Sequence, residues 1–243
     1  MLPIAILAGG LATRLRPITE TIPKALVEIA GEPFIAHQLR LLKAHGYEHV
    51  VMLVGYRGEM IEEYVRDGSA YGLRVEYSYD SDGQAGRPTL LAVTPTLLGT
   101  AGAIVKALPL LGREFSVIYG DSYLPCDYAA AERAFTESGK LGLMSVYRNE
   151  GQWDTSNVEF DGANVVRYDK SNRTPAMRYI DYGLGVFRSE AFADVPRDRP
   201  SDLAALYQQL VARGQLAAWE SPDRFYEIGS LEGIRGLTEF LSR

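Results

Sequence analysis

The sequence predicts an α/β protein: a doubly wound, mostly parallel sheet with helices on both faces and a small antiparallel subregion. Three observations carry that expectation. Ile4–Leu7 is a short apolar run that stops at Gly9-Gly10, as a buried strand opening a parallel sheet does. Strand-like runs then alternate with helix-period stretches through about residue 150. From about Gln152 to Phe187 the pattern changes to successive short strands.

Ile4–Ala8 is the first strand, and a long loop follows it. Pro33–His45 reads as a helix, since Pro33 suits a first helical turn and Ile35, Leu39 and Leu42 form one apolar stripe. His49–Val54 is β-branched and ends at Gly55; Glu59–Val65 is a short helix and Leu73–Tyr79 an alternating strand. Gly99–Leu108 reads as a helix with Thr100 as its N-cap. Phe115–Tyr119 is a buried strand ending in Gly120-Asp121, followed by a helix over Tyr128–Ser138 and a strand over Leu141–Tyr147. Asn157–Phe160, Ala163–Tyr168 and Tyr179–Phe187 are the antiparallel strands. Helices return at Asp202–Arg213, capped by Ser201, and at Leu231–Leu241. The whole is a Rossmann-like arrangement without internal repeats or linkers.

Bulk composition removes several classes of function. At 243 residues and 47% hydrophobic content, the chain has enough apolar surface for one sizeable core. With 31 acidic against 25 basic side chains it lacks the basic excess of a nucleic-acid binder, and its tyrosines are scattered and form no stacking platform. A single cysteine, Cys126, rules out an intrachain disulfide and argues against a cysteine zinc site, so it is expected to be an inert packing residue. No apolar run approaches the ~18 residues of a membrane span, and the N-terminus enters a strand directly instead of a signal peptide. The expected location is the cytoplasm, with no membrane partner.

Against the acidic total, the loop after the first strand concentrates cations. Residues 9–32 carry no helix pattern, whereas connections are usually ~4–6 residues long and longer ones tend to be functional. Gly9 and Gly10 permit close backbone approach to a phosphate. Arg14 suits a bidentate contact with phosphate oxygens, and Lys24, behind Pro23, is a point charge on stiffened backbone. The loop fits neither G-x-G-x-x-G nor G-x-x-x-x-G-K-[ST], so it is not one of the common nucleotide fingerprints.

Leu7-Ala-Gly-Gly-x-x-Thr-Arg-Leu-x-Pro17 followed by Pro23-Lys24 resembles the signature of the sugar-1-phosphate nucleotidyltransferases. The resemblance extends along the chain in family order. Leu98-Gly-Thr-Ala-Gly-Ala103 is similar to the base-side loop, Tyr119-Gly-Asp-Ser122 to a metal-binding strand end, and Asp169-Lys170 to an acidic-lysine pair on the sugar side. Tyr226-Glu-Ile-Gly-Ser230 is similar to a second metal segment before the closing helix. The sequence departs from the family at Ala12, where glycine is usual, at Glu227, where aspartate is common, and at Asp181-Tyr-Gly183, where Asn-Ala-Gly is frequent.

The resemblance implies one domain over residues 1–243, with a nucleotide part (1–150) and a part (151–243) holding the sugar and the closing helices. It implies attack of a sugar 1-phosphate on the α-phosphorus of an NTP with release of pyrophosphate. Arg14 and Lys24 would be catalytic, a role that rests on positioning and charge neutralisation. Leu7, Ala8, Gly9, Gly10, Thr13, Arg14, Gly99 and Thr100 would bind the nucleotide. Asn157, Asp169, Lys170, Asp181 and Gly183 would bind the sugar phosphate, and Asp121 and Glu227 would hold Mg²⁺. The Leu98–Gly102 and Phe225–Gly233 segments most resemble the mannose and heptose guanylyltransferases, which favours GTP and leaves uridylyl and thymidylyl transfer open. Assembly into a homo-oligomer is also left open. Two other readings compete. A metal-dependent glycosyltransferase would want a D-x-D pattern where Gly-Asp-Ser stands, and a non-catalytic regulatory subunit would be free to lose Arg14, Lys24 or Asp121, all of which are present.

Overall fold

The computed structural model describes residues 1–10, 15, 17–80, 98–197 and 199–242. Its strands are β1 (Ile4–Ala8), β2 (Glu28–Ile29), β3 (Glu32–Pro33), β4 (His49–Val54), β5 (Arg74–Tyr79), β6 (Glu114–Tyr119) and β7 (Ser122–Tyr123). The later ones are β8 (Gly142–Arg148), β9 (Val158–Phe160), β10 (Val165–Tyr168), β11 (Tyr179–Arg188), β12 (Leu216–Glu220) and β13 (Tyr226–Glu227). The helices are α1 (Phe34–Ala44), α2 (Gly58–Val65), α3 (Gly99–Leu111), α4 (Tyr128–Ser138), α5 (Leu203–Ala212) and α6 (Leu231–Leu241).

Strand alternation sorts the core onto two faces of one sheet. Ile4, Ile6, Val50, Met52 and Val54 point to the face covered by Ile35, Leu39 and Leu42 of α1, Ile61 of α2 and Phe135 of α4. Ala5, Val51 and Leu53 point to the other face, against Ala101, Ile104 and Ala107 of α3 and Leu206 and Leu210 of α5. This period-2 division is what a sheet buried on both sides requires.

The main sheet has nine strands, running β10-β9-β11-β6-β1-β4-β5, with β8 joined to β11 and β12 to β8. β1 is parallel to both β4 and β6, and β4 to β5. The antiparallel expectation also holds, since β11 runs antiparallel to β6, β8 and β9, and β10 to β9. From β1 the chain passes through α1 to β4 and α2 to β5, then crosses by α3 to β6 on the other side of β1. The order reverses between β1 and β6, and a ligand crevice belongs outside the carboxyl ends of those strands.

Several expectations need correction. Helix α3 does not stop before Pro109 but continues to Leu111, whose side chain is buried. A proline in the last turn removes only one helical hydrogen bond. Thr100 is not the N-cap of α3, and Ser201 is not the N-cap of α5; Leu98 and Asp202 occupy those places. Ser201 instead offers its backbone carbonyl to the amides of Ala101 and Gly102, at 2.9 and 3.3 Å. Strand β12 carries no strand signal in the sequence, because Leu216-Ala-Ala-Trp-Glu220 lacks β-branched residues, yet it pairs in parallel with β8 over five positions. Cys126 is buried, and desolvation pushes its thiol up to about 12, in keeping with a packing role. Among the described residues no helix is long and apolar enough to cross a membrane.

Candidate active site

Two cavities open at the crevice. The first is lined by Leu7, Ala8, Gly9, Gly10, Lys24, Asp80, Gly99, Thr100, Tyr119, Gly120 and Asp121, among others. The second is lined by Tyr119, Asp121, Asp154, Thr155, Asn157, Lys170, Arg173, Ile180, Asp181, Gly183 and Glu227. Tyr119 and Asp121, at the end of β6, are therefore a wall common to both. Thr13 and Arg14 lie outside the described residues.

Gly120 allows that wall to meet β1. A Cβ on Gly120 would lie 2.7 Å from the Leu7 carbonyl oxygen, which accepts the Gly120 amide at 2.9 Å. No larger residue fits so close an approach.

The Gly9-Gly10 pair divides its duties. A Cβ on Gly9 would lie 3.2 Å from Asp80 Oδ2 and 3.3 Å from the Gly55 nitrogen, so this glycine admits a neighbouring carboxyl group. Around Gly10 the corresponding space is open. Both glycines line the first cavity, as the sequence led us to expect of a ligand-facing pair. Asp80, which follows β5, also lines this cavity and is not marked by any motif in the sequence. Burial pushes its carboxyl up to about 6, with Lys106 pulling the other way. Only its neighbours give it meaning, and a lone aspartate after a strand carries no such signal.

Thr100 lines the first cavity, but its hydroxyl is committed elsewhere. It accepts from Leu203 N at 2.7 Å and donates to Asp202 Oδ1 at 3.1 Å, tying the start of α3 to that of α5.

At the junction of the cavities stands an ion pair. Lys24 Nζ donates to Asp121 Oδ2 at 2.6 Å, with the two side chains 15% and 29% exposed, so the pair is only partly shielded from water. Lys24 is held in a tight turn behind Pro23, where Leu26 N bonds Pro23 O and Val27 N bonds Lys24 O. The second carboxylate arrives on a separate two-stranded ladder. β13 pairs with β7, placing Glu227 opposite Ser122, and Ile228 N donates to Asp121 O at 2.9 Å. Gly229 on the same segment faces Lys24, since a Cβ there would lie 3.5 Å from Nζ.

Asp121 and Glu227 fit a hard cation. Both offer oxygen donors to one cavity, and among the described residues no cluster of three or more His, Cys, Asp or Glu side chains could hold a metal alone. Mg²⁺ suits such a pair, because it commonly takes one or two protein carboxylates and completes its shell with substrate phosphates and water. The Lys24 ammonium already shows that Asp121 accepts a cation at this point.

Opposite this wall, β11 breaks register against β8 between Asp181 and Gly185. Gly183 in the irregular stretch has φ +101°, a conformation that favours glycine. The break turns Asp181 into the second cavity, where its Oδ1 accepts Gly183 N at 3.1 Å and Asn157 Oδ1 accepts the Asp181 amide at 2.9 Å. Burial raises the Asp181 pKa, while Lys170, the Gly183 amide and the Tyr168 hydroxyl lower it. Lys170 Nζ lies 5.6 Å from the Tyr119 ring centroid, so the cation leans on the shared wall.

Asp169 is a different case. Its Oδ1 accepts the Ser171 and Asn172 amides at 2.8 and 2.7 Å, which hold its carboxyl below the usual range. It is not among the residues lining either of these cavities, and its carboxylate shapes the turn that presents Lys170. Asp154, Thr155 and Arg173 line the second cavity and were not singled out from sequence.

Comparison with known proteins agrees with this architecture. Over 239 residues the chain is 28% identical to the N-acetylmuramate alpha-1-phosphate uridylyltransferase of Neisseria meningitidis, covering 93% of this chain and 92% of that protein. It is 28% identical over 233 residues to the mannose-1-phosphate guanylyltransferase catalytic subunit beta of Xenopus tropicalis, covering 92% of this chain and 60% of that one. The inositol-1-phosphate CTP transferase of T. maritima superposes with a TM-score of 0.77 at 20% identity, covering 100% of this chain and 97% of that one; this is a likeness of fold. Residues 4–241 match the nucleotidyl transferase family, and the chain belongs to it.

Proposed function

We propose that the chain transfers a nucleotidyl group, guanylyl in preference, from an NTP to a hexose or heptose 1-phosphate. The observation that carries this reading is the shared wall: one ion pair, Lys24–Asp121, stands where two cavities meet. The nucleotide takes the first cavity and the sugar phosphate the second. A phosphate oxygen of the sugar phosphate forms a bond to the α-phosphorus as the bond to the β-phosphate oxygen breaks, and pyrophosphate leaves. Lys24 neutralises the charge gathered between the two substrates, and Lys170 and Arg173 hold the sugar's phosphate. Arg14 is assigned to the leaving pyrophosphate by the opening motif. Bound Mg²⁺, held by Asp121 and Glu227, would supply further neutralisation of the phosphates. No protein nucleophile is needed, since positioning and charge do the work. The test is pyrophosphate release with Mg²⁺, each NTP and a panel of sugar 1-phosphates. Release with GTP and a hexose or heptose 1-phosphate is expected, and silence with every pair would refute the reading.

Guanine preference is supported by Asp80. Asp80 follows β5, and its carboxyl reaches over Gly55 to lie beside Gly9 at the end of β1, on the wall of the first cavity. An ionised carboxylate is an acceptor on both oxygens and matches the adjacent N1–H and N2–H donors of guanine. Uracil presents one donor flanked by carbonyls, while adenine and cytosine present one donor beside one acceptor, which suits a protonated acid. With its pKa at about 6, Asp80 is mostly ionised at neutral pH. The ratio of kcat/KM for GTP to that for CTP or ATP should therefore fall ~10-fold or more between pH 8 and pH 5. In Asp80→Asn the ratio should be low and flat with pH; an unchanged, still pH-dependent ratio would remove Asp80 from base selection.

The same substitution has a stability signature of fixed sign. The folded pKa lies above the unfolded one, so Asp80 favours folding below pH ~4, and that benefit is lost as pH rises through about 6. Asp80→Asn should thus raise Tm at pH 7.5, and thermal melts should show that gain shrinking as the pH is lowered toward 4.

A further inference from the structure

We propose that Gln38 is the positioning residue for Asp121. It sits on α1 among the apolar residues Ile35, Leu39 and Leu42, with 1% of its surface exposed. Its Nε2 donates to Tyr119 O at 3.0 Å and to Ser122 O at 2.8 Å, the two carbonyls that bracket Gly120-Asp121. One amide group spends both hydrogens on the turn between β6 and β7. Its Oε1 is buried and has no hydrogen-bond partner among the described residues. The unpaired Oε1 offsets part of what the two donated bonds contribute to stability. What Gln38 supplies is geometric: two donors that an apolar residue lacks, applied on either side of Asp121.

The clamp has a counterpart on the opposite flank. Asp121 O accepts the Ile228 amide at 2.9 Å, so the turn is pinned by α1 from one direction and by the segment carrying Glu227 from the other. Between these pins the Asp121 carboxylate is held against Lys24 at 2.6 Å. A misplacement of ~1 Å at such a site is enough to lower turnover ~10²-fold. The inference rests on the reading of Asp121 as a metal ligand.

Two variants test it, Gln38→Met, which removes both donors at similar volume, and Gln38→His, which keeps one N–H. Two readouts are used. The first is the Mg²⁺ concentration giving half-maximal rate; the second is Mn²⁺ binding to the enzyme–GTP complex, measured by electron paramagnetic resonance without sugar phosphate and hence without turnover. Gln38→Met should raise both metal constants ~10-fold or more while the KM for GTP at saturating metal stays within about twofold. Gln38→His should fall between Met and wild type. Thermal melting identifies any variant that fails to fold, and the graded His variant then carries the comparison. Wild-type metal constants in folded variants would overturn the role of Gln38. A wild-type protein that binds no Mn²⁺ and releases no pyrophosphate would instead overturn the reading of the site.

Discussion

Asp121→Asn is expected to lower kcat/KM ~10³-fold, about 4 kcal/mol of transition-state stabilisation, with little change in the far-ultraviolet circular dichroism. The substitution keeps the side chain's shape and its place between the Gln38 and Ile228 contacts, which are made by backbone atoms on and beside it. It removes the negative charge that faces Lys24 at 2.6 Å and with it the proposed metal ligand. A neutral amide oxygen is a weak ligand for a hard dication, so raising Mg²⁺ should recover only part of the loss. Initial rates of pyrophosphate release across an Mg²⁺ series provide the check. A loss below tenfold at saturating metal would show that the carboxylate is not needed.

Lys24→Ala should reduce kcat ~10²–10³-fold, but with the opposite metal dependence. In the structure the ammonium competes for the oxygen that a cation would use. Its removal leaves Asp121 open to metal, so half-saturating Mg²⁺ should stay constant or fall even as turnover collapses. Lys24→Arg should not restore the rate, because a planar fork behind Pro23 cannot occupy the place of a compact ammonium. The exposure of the pair limits its contribution to folding to about 1 kcal/mol, so Tm should move little. A large drop in Tm with modest kinetic change would recast the pair as structural. Measured together, the two variants separate a residue that holds metal from one that neutralises phosphate.

Much of this arrangement is legible in the sequence because local pattern and long-range packing agree. The β-branched run His49–Val54 reads as a strand, and β4 divides its buried side chains between the two faces of the sheet. Asp121 can be found from its strand-end context, and β6 does deliver it to the crevice. What escaped depends on partners far away in the chain. Asp80 matters because Gly9 and Gly55 leave room for its carboxyl, a relation across three strand ends. Gln38 looks like an irregularity on an apolar helix face until the carbonyls of Tyr119 and Ser122 are found beneath it. Ladders of two residues, such as β7 with β13, are too short to leave a periodic trace. Thr100 and Asp169 point the other way, since residue types suited to binding are here consumed by caps and turns.

Tyr119 and Asp121 border both cavities, so the two ligand spaces share one wall. A displacement of that strand end on one side would alter the room and the charge left on the other. Any coupling carried by that wall is reciprocal by linkage: whatever factor a nucleotide imposed on the affinity for its partner, the partner would return to the nucleotide.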